Sequence, residues 1–411
     1  MEKEPQRGSS LVQDSLPLAA TAEEDIANGE QAEAAATVAP LAEEQESQVE
    51  QESTRQPAKT AQQKEIRREN PPPKVPTPIK TPATSTESPN SSQPSIIQTI
   101  RKEVDNISRR SAKERCSVRS VLTIDKSAFQ RCVAFSPDGK DFTVGNNNKY
   151  ASTFDIKGKE GTKLIGHQGY VLATAYSPNG KYIATGSVDQ SVRVWEARTG
   201  QRIHHLTDHQ ETVFSVAYSP NGKYLLSGSL DQTAILWDIQ TGDKVRQFRG
   251  HTAGINDVVF SPDGQYILCG SADATAKLWE ASTGQLLLSL EGHQGAVRSV
   301  AFTPDGRFIL TGSGDRKIRL WNAQSGKHLR TMKGHRAHIR SLVVSPDGQY
   351  ILSASGDHTI KLWALKSGVE QCVLEGHSLD VSEAVFHPTN PTLVLSASND
   401  QTIRMWNFNL E

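Results

Sequence analysis

From residue 117 onward, short alternations of apolar and polar residues are interrupted by turn residues. The segment 213–250 is representative and contains four β-rich runs, VFSVAYSP, KYLLSGS, TAILWDI and DKVRQFRG. The runs are separated by Pro220-Asn221-Gly222, Asp231-Gln232 and Thr241-Gly242, which are turn-forming sequences. A period of two is typical of β-strands. Because turn signals recur about every 10 residues and helical periodicity is almost absent, the pattern predicts an all-β fold.

These segments repeat with a period of 42 residues. A Gly-His pair, or Asp-His once, marks each repeat, with the histidine at positions 167, 209, 251, 293, 335 and 377. The six tryptophans follow the same spacing, at positions 195, 237, 279, 321, 363 and then 406. Turn prolines lie at positions 137, 178, 220, 262, 304, 346 and 388. A repeat in the low forties with these marks predicts the four-stranded blades of a propeller.

Together these marks resemble the WD-repeat β-propeller family, over residues 117–411. The resemblance implies seven four-stranded antiparallel blades. The first repeat departs from the pattern, with Phe154-Asp155 for Trp-Asp, Asn148 for the turn aspartate and Asp125-Lys126 for Gly-His. The last repeat has Pro-Thr-Asn-Pro where others have Pro-Asp-Gly. Terminal repeats are expected to be atypical, so both are interpreted as blades.

Closure of the ring follows from counting strands. The seventh repeat ends after its third strand, at Trp406-Asn407-Phe408, and SVLTIDK at 120–126 precedes the first repeat without a blade of its own. We expect strand 120–126 to supply the missing outer strand of blade seven. Without it the ring would have an open edge, which invites slippage and aggregation.

A histidine, a hydroxyl residue, an aspartate and a tryptophan recur together in the repeats. Read alone, His293, Thr311 and Asp315 are the residue set of a hydrolytic triad. An enzyme needs one such site, so repetition argues against catalysis and we predict no catalytic residue. The family resemblance instead implies a hydrogen-bonded chain that stiffens each blade. The complete sets are His167, Thr185, Asp189 and Trp195; His209, Ser227, Asp231 and Trp237; His293, Thr311, Asp315 and Trp321; His335, Ser353, Asp357 and Trp363; and His377, Ser396, Asp400 and Trp406.

The fourth repeat differs at one position of this set. Cys269 stands where the other repeats have serine or threonine, beside His251, Asp273 and Trp279. A weaker network is expected in that blade.

The resemblance also implies a binding face at the mouth of the central channel. Partner-facing side chains in this family lie three and five residues after the histidine and one residue before the turn aspartate. Aromatic side chains grouped with arginine are typical of binding hot spots, which predicts a protein or peptide partner with an apolar anchor and an acidic stretch. The alternative is that some of these side chains are buried between blades or covered by the N-terminal region. The candidate partner-binding residues are Phe129, Arg131, Tyr170, Leu172, Phe214, Leu230, Arg298, His338 and Arg340.

The leading function is a non-enzymatic interaction scaffold. One version is a subunit of a nuclear regulatory complex, because FSPDGKDFTVGNNN resembles the degenerate first blade of fungal Tup-type corepressors, although their long N-terminal oligomerising helix has no counterpart here. The alternative is a substrate receptor of a cullin–RING ubiquitin ligase. Trp195-Glu196-Ala197-Arg198 nearly matches the Trp-Asp-x-Arg of such receptors, which makes Arg198 an adaptor-binding candidate. The pair His204-His205 is interpreted as incidental.

Residues 1–115 differ in character and are predicted to be disordered, since they are poor in aromatic residues and rich in Ala, Glu, Gln, Ser and Pro. Residues 1–63 carry 13 acidic and 4 basic residues, whereas residues 64–120 carry 12 basic and 6 acidic ones. A short basic amphipathic helix is predicted at 95–110, to bind a partner, to pack on the protein itself or to form transiently. Three dipeptides offer proline-directed phosphorylation sites, Thr77-Pro78, Thr81-Pro82 and Ser88-Pro89.

Composition restricts the remaining options. The formal net charge of −1 over 411 residues indicates no general nucleic-acid or membrane surface. Four cysteines lie far apart without a CxxC pair, which argues against a disulfide framework or a zinc module and favours a reducing compartment. No secretory signal or long apolar run is evident. We therefore expect an intracellular protein, nuclear or cytoplasmic, with no metal and no cofactor; its oligomeric state is not predicted.

Overall fold

Twenty-eight strands, β1 to β28 in chain order, make up the regular structure of residues 116–410, which are the part of the chain that the computed structural model describes. They form seven antiparallel sheets of four strands. The seven-bladed all-β propeller expected from the sequence is thereby confirmed. The predicted disordered region 1–115 and its helix at 95–110 lie outside the described residues.

Six blades use four consecutive strands each. Blade one comprises β2 Gln130–Phe135, β3 Asp141–Asn146, β4 Tyr150–Asp155 and β5 Glu160–Ile165; blade two, β6 Val171–Tyr176, β7 Tyr182–Ser187, β8 Val192–Glu196 and β9 Arg202–Leu206; blade three, β10 Val213–Tyr218, β11 Tyr224–Ser229, β12 Ala234–Asp238 and β13 Lys244–Phe248. Blade four comprises β14 Ile255–Phe260, β15 Tyr266–Ser271, β16 Ala276–Glu280 and β17 Leu286–Leu290; blade five, β18 Val297–Phe302, β19 Phe308–Ser313, β20 Lys317–Asn322 and β21 His328–Lys333; blade six, β22 Ile339–Val344, β23 Tyr350–Ser355, β24 Ile360–Ala364 and β25 Glu370–Leu374.

Blade seven combines the two ends of the described chain. Its strands are β26 Val381–Phe386, β27 Leu393–Ser398, β28 Thr402–Leu410 and, on the outside, β1 Cys116–Asp125. The register of β1 on β28 runs from Cys116 opposite Leu410 to Asp125 opposite Thr402, with an irregularity between Ser120 and Leu122. The outer strand expected at 120–126 is therefore longer at its N-terminal end, where it begins at Cys116.

The core lies between adjacent blades. Between blades two and three, Val194 and Leu206 pack with Val213, Leu225 and Trp237, all of them buried. Five of the six residues in the second strand of each blade are buried, which explains why this strand consists mostly of apolar and small residues. At about 25 cal/mol for each Å² of apolar surface buried, these repeated contacts are the main stabilising contribution to the ring.

The turn between the second and third strands has a left-handed residue in each blade. Gln232 has a φ of 68°, and the residue after the turn aspartate or asparagine adopts a similar angle in the other blades. Side chains other than glycine rarely adopt this conformation. The turn is held because the preceding Asp231 accepts hydrogen bonds from the backbone N–H and hydroxyl of Thr233, at 2.9 and 2.6 Å.

Two cysteines that the sequence analysis left unpaired form a disulfide bond. Cys116 on β1 is bonded to Cys372 on β25, the outer strand of blade six, with 5.4 Å between their Cα atoms and 256 residues between them in sequence. The expectation of no disulfide was wrong because distance along the chain says little about two strands that ring closure places side by side. Cys132 and Cys269 are free and buried.

Candidate functional site

In blade five, the recurring polar residues form one hydrogen-bonded chain. His293 bonds through Nδ1 to Asp315 at 2.9 Å and through Nε2 to the Thr311 hydroxyl at 2.7 Å. The Trp321 indole N–H donates to the same hydroxyl at 2.9 Å. Thr311 has no exposed surface and His293 is 7% exposed, so no substrate can reach the hydroxyl oxygen. The arrangement braces the second strand against the third and the preceding loop.

The same chain is repeated in blades two, three, six and seven. Its His–Asp distances are 2.7 to 2.9 Å and its indole–hydroxyl distances are 2.8 to 2.9 Å. The structure thus brings together each predicted set, with histidine, hydroxyl and indole buried. A connected buried network in which each polar group is paired rigidifies strand packing.

In blade two, the electrostatics favour a neutral His167 and a charged Asp189. Burial lowers the pKa of His167, and the hydrogen bond to Asp189 only partly opposes this. Burial alone would raise the pKa of Asp189, but hydrogen bonds from His167, Ser191 and the Gln168 backbone outweigh it, so this pKa lies well below its usual value. The imidazole therefore donates from Nδ1 and accepts at Nε2.

In blade four, the hydrogen-bonded chain is shorter. His251 keeps its bond to Asp273 at 2.7 Å, but its Nε2 atom is buried without a hydrogen-bond partner among the described residues. Cys269 is fully buried where the hydroxyl would lie, and a thiol is a weak hydrogen-bond donor and acceptor. Trp279 stays buried beside His251, with the rings in edge-on contact.

In blade one, an ion pair stands in place of the hydrogen-bonded histidine chain. Lys126 bonds to Glu160 at 2.9 Å, and the other Glu160 oxygen accepts from Ser152 at 2.9 Å. The Lys126 ammonium also lies 4.8 Å from the ring centroid of Phe154, which stands where the other blades have tryptophan. Glu160 and Ser152 were not predicted from the sequence, although Asp125-Lys126 in place of Gly-His indicates that this blade is braced differently.

The predicted partner-facing positions are close together within each blade. In blade three, the Leu230 backbone N–H donates to the Thr212 carbonyl at 2.9 Å, which joins the loop after β11 to the loop before β10. Val188 and Tyr170 in blade two, and Asn147 and Phe129 in blade one, are joined by the same bond at 3.0 and 3.3 Å. This end of the blades is called the loop face below.

On the loop face, the apolar candidates differ in exposure. Leu230 is 44% exposed, and its side chain lies against the backbone of Gly254 in blade four. Phe129, Tyr170, Leu172 and Phe214 are half-buried. These four side chains are thus partly covered by neighbouring residues, whereas Leu230 is more exposed. Leu379 of blade seven is 45% exposed, and it was not predicted because it lies two residues after the repeat histidine rather than three or five.

The basic candidates on the loop face contact neighbouring blades. Arg340 forms an ion pair with Asp380 of blade seven at 2.9 Å, and His338 lies 3.5 Å from the same carboxylate. The nearby His338, against the opposing effect of burial, places the pKa of Asp380 well below its usual value, and the hydrogen bond from Arg340 adds to the effect. Arg131 donates to Asn147 at 2.8 Å and to Asn399 at 3.3 Å. Arg298 is half-buried beside Gly314.

Two acidic residues on the innermost strands were not anticipated. Asp257 of blade four accepts from the hydroxyls of Ser215 at 2.8 Å and Ser299 at 2.9 Å, and from the backbone N–H of Val300 at 2.9 Å. It thereby connects blades three, four and five. Burial raises its pKa, although these three hydrogen bonds act in the opposite direction.

Glu383 of blade seven occupies the equivalent position, six residues after the histidine. It accepts from the Val133 backbone N–H of blade one at 2.8 Å. Burial and the nearby Asp257 charge raise the pKa of Glu383 to about 8. Both carboxyl groups sit six residues after a repeat histidine, a spacing that marks them in the sequence once the inner strands are known.

The ligase-adaptor candidate lies away from the loop face. Arg198 is exposed in the turn after β8, and its carbonyl accepts from the Thr162 hydroxyl at 3.1 Å. It borders a cavity of about 800 Å³ between blades one and two, together with Tyr176, Asp141 and Asp155.

Residues 116–410 contain no candidate metal-binding cluster and no candidate membrane-spanning helix. No group of three or more His, Cys, Asp or Glu residues in that range is placed to hold a metal ion. No helix within the same residues is long and apolar enough to cross a membrane.

A sequence profile described as "WD domain, G-beta repeat" matches six segments, 158–196, 200–238, 242–280, 284–322, 326–364 and 368–407. Each segment begins near the outer strand of one blade and ends within or at the end of the third strand of the next. The inner strands of blade one, which carry Phe154 in place of tryptophan, and β1 fall outside the matches. Six matched repeats and seven blades are therefore consistent.

Individual relatives match over short segments. Protein HIRA of Caenorhabditis elegans is 29% identical over 96 residues, 19% of this chain and 10% of that protein. Eukaryotic translation initiation factor 3 subunit I of Pyricularia oryzae is 34% identical over 73 residues, 18% of this chain and 21% of that protein. Small ribosomal subunit protein RACK1y of Oryza sativa is 35% identical over 78 residues, 18% of this chain and 23% of that protein. The match thus spans less than a quarter of each of these relatives.

Proposed function

The chain belongs to the WD domain, G-beta repeat family, and on this basis we propose that its propeller is a non-enzymatic scaffold that binds protein or peptide partners on the loop face. The observation that carries the proposal is Leu230, which is 44% exposed on the loop face, where the aromatic and aliphatic candidates of blades one to three are half-buried. A single exposed leucine is ordinary. One that shares a rigid, braced face with several aromatic side chains offers a partner an anchor site.

The partner that fits this face carries an apolar anchor over blades one to three. An acidic stretch over blades five and six would meet Arg298, His338 and Arg340. Arg340 and His338 already face Asp380, so an acidic partner must compete with that carboxylate. The apolar anchor is therefore the main source of affinity, and the basic side chains orient the partner.

A pull-down with the double variant Phe214→Ala, Arg298→Glu tests this assignment. The full chain is used as bait, and bound proteins are quantified against a variant of a side chain on an outer strand, Leu287→Ala. We expect the double variant to lose partners that the control retains. If every partner binds the double variant as it binds the unmodified chain, the loop face is not the binding surface.

A subunit of a nuclear regulatory complex, corepressor-like, is the version of this scaffold that we favour. Its support is the resemblance of FSPDGKDFTVGNNN in blade one to the first blade of Tup-type corepressors. Blade one is also the blade that substitutes an ion pair for the histidine chain, through Lys126 and Glu160. Cell fractionation followed by affinity purification from the nuclear fraction tests it, and partners confined to the cytoplasmic fraction would contradict it.

A substrate receptor of a cullin–RING ubiquitin ligase is the second candidate. Arg198, at the end of the near match Trp195-Glu196-Ala197-Arg198, is exposed in the turn after β8 and free to meet an adaptor from solvent. Its surface is separate from the loop face, so substrate and adaptor would not compete. Co-purification of a cullin adaptor that is lost with Arg198→Ala supports this candidate, whereas no adaptor with the unmodified chain excludes it.

A further inference from the structure

The Cys116–Cys372 bond lies where the ring is closed without a continuous chain. Blades one to six are each built from four consecutive strands, but blade seven depends on β1 pairing with β28. This pairing is called the seam below. The disulfide joins β1 to β25 of blade six, and so ties the outer strand of the seam to the adjacent blade.

The seam is otherwise held by non-covalent contacts. Hydrogen bonds pair β1 with β28, and Val118, Leu122 and Ile124 pack partly against neighbouring residues. The remaining side chains of β1 are mostly exposed, so little apolar surface opposes its departure. If β1 left, β28 would become an open sheet edge able to pair with another extended segment.

The cysteines differ in their access to solvent. Cys116 is 9% exposed at the end of β1, whereas Cys372 has no exposed surface and lies among Leu362, Leu374 and other apolar side chains. Of the free cysteines, Cys269 has no exposed surface and Cys132 is 2% exposed. Burial raises the pKa of both free thiols, which keeps them protonated and unreactive. Within residues 116–410, exchange chemistry is therefore confined to the one bonded pair.

We propose that Cys116–Cys372 is a reversible thiol–disulfide switch that locks the seam when oxidised and frees β1 when reduced. A thiolate of a dithiol reductant attacks Sγ of Cys116, the Sγ–Sγ bond breaks, and the Cys372 sulfur leaves as a thiolate that takes up a proton. The second thiol of the reductant then attacks the mixed disulfide and releases the Cys116 thiolate, which is protonated in turn. The two electrons gained by the protein come from the dithiol, which becomes a disulfide.

Burial of Cys372 couples this chemistry to movement of the strand. A thiolate is disfavoured among apolar side chains, so the leaving sulfur needs water. Fraying of β1 from its N-terminal end would let water reach the sulfur, because the Cys116–Leu410 pair is the terminal pair of the β1–β28 register. Thiol–disulfide exchange is accordingly slow in the closed ring, and each reduction leaves β1 held by non-covalent contacts alone.

The test uses the full chain equilibrated with oxidised glutathione or with dithiothreitol, then freed of reagent. Alkylation in denaturant counts free thiols, and we expect two in the oxidised form and four in the reduced form. Hydrogen exchange followed by mass spectrometry is then compared over 116–126 and 402–410. Loss of the cross-link should make exchange of these segments about tenfold faster, with other blades unchanged.

Two variants complete the test. In Cys116→Ser, hydrogen exchange of 116–126 and 402–410 should be fast under both redox conditions. Cys269→Ser removes a free cysteine, and its hydrogen exchange should depend on the redox condition as in the unmodified chain. The proposal would be overturned if four thiols are free after oxidation, or if Cys116 and Cys372 stay bonded when the native protein is treated with dithiothreitol. Equal hydrogen exchange of 116–126 in the oxidised and reduced forms would also overturn it. Because the comparison also uses the unmodified chain in two redox states, it does not depend on the variants folding.

Discussion

Glu383 on the innermost strand of blade seven accepts a 2.8 Å hydrogen bond from the backbone N–H of Val133 on the innermost strand of blade one. The bond crosses from the last blade to the first, as the pairing of β1 with β28 does on the outside of the ring. Ring closure therefore has an inner contact that titrates and an outer contact that is covalently locked.

The inner contact predicts a pH dependence of stability. The pKa of Glu383 is raised from 4.5 to about 8 by burial and by the Asp257 charge. Between those values the folded chain binds more protons than the unfolded chain, so its stability falls as pH rises and levels off above pH 8. The contribution has a slope of at most about 1.4 kcal/mol per pH unit.

Glu383→Gln should remove this contribution while keeping an oxygen to accept from Val133. We expect its free energy of unfolding, measured by urea titration from pH 5 to 8, to vary less with pH than that of the unmodified chain. Groups near Glu383 include Asp257 and the Cys132 thiol, so Cys132→Ala serves as the control. An equal pH dependence in Glu383→Gln and the unmodified chain would contradict the assignment.

Cys269→Ser should stabilise the protein, by about 1 kcal/mol. The serine hydroxyl would pair with the buried Nε2 atom of His251, which lacks a partner, and accept from the Trp279 indole. Ser227→Cys in blade three is the matched reverse change and should destabilise by a similar amount, because it removes bonds to His209 and Trp237. Thermal or denaturant unfolding of the two variants measures both effects. A destabilised Cys269→Ser would contradict the conclusion that blade four lacks one hydroxyl of the hydrogen-bonded chain.

His167 and His377 should remain neutral below the usual pH range of histidine. Burial lowers the pKa of each, with partial opposition from Asp189 and Asp400. Since the unfolded chain takes up these protons near pH 6.5 and the folded chain does not, stability falls as pH drops below 6.5. NMR titration of the two imidazoles in the folded chain tests this, and midpoints at or above 6.5 would refute it.

Removing the outer strand of blade seven should prevent the ring from closing. Internal deletion of 117–126 in the full chain leaves β28 with an unpaired edge, and we expect aggregation and loss of a single sharp melting transition. Deletion of 71–80, an equally long segment outside the described residues, is the control and should melt as the unmodified chain does. A single sharp melting transition that deletion of 117–126 leaves unchanged would show that β1 is dispensable.

The sequence predicted the architecture well because the physical cause of each blade is local. Alternation within Val213–Tyr218, turn residues after it and a tryptophan at fixed spacing suffice to place a strand in its blade. His293, Thr311, Asp315 and Trp321 come together for the same reason, since one blade contains all four.

Contacts between blades were harder to predict. Asp257 bonds to serines on both neighbouring blades, Arg340 pairs with Asp380, and Cys116 meets Cys372 across the seam. Each of these pairs depends on the curvature and closure of the ring, which set the distance between side chains in different repeats. Spacing along the chain carries no direct signal for them.

The loop face as a partner-binding surface is tested most directly by Leu230→Asp against Leu287→Asp. The two leucines are 44% and 40% exposed, and Leu287 lies on the outer strand β17 of blade four, so both changes should affect stability equally little. Proteins recovered on each full-length variant are quantified by mass spectrometry alongside the unmodified chain. We predict that specific partners fall at least about tenfold on Leu230→Asp and are unchanged on Leu287→Asp. Equal recovery on both variants would contradict the proposed function.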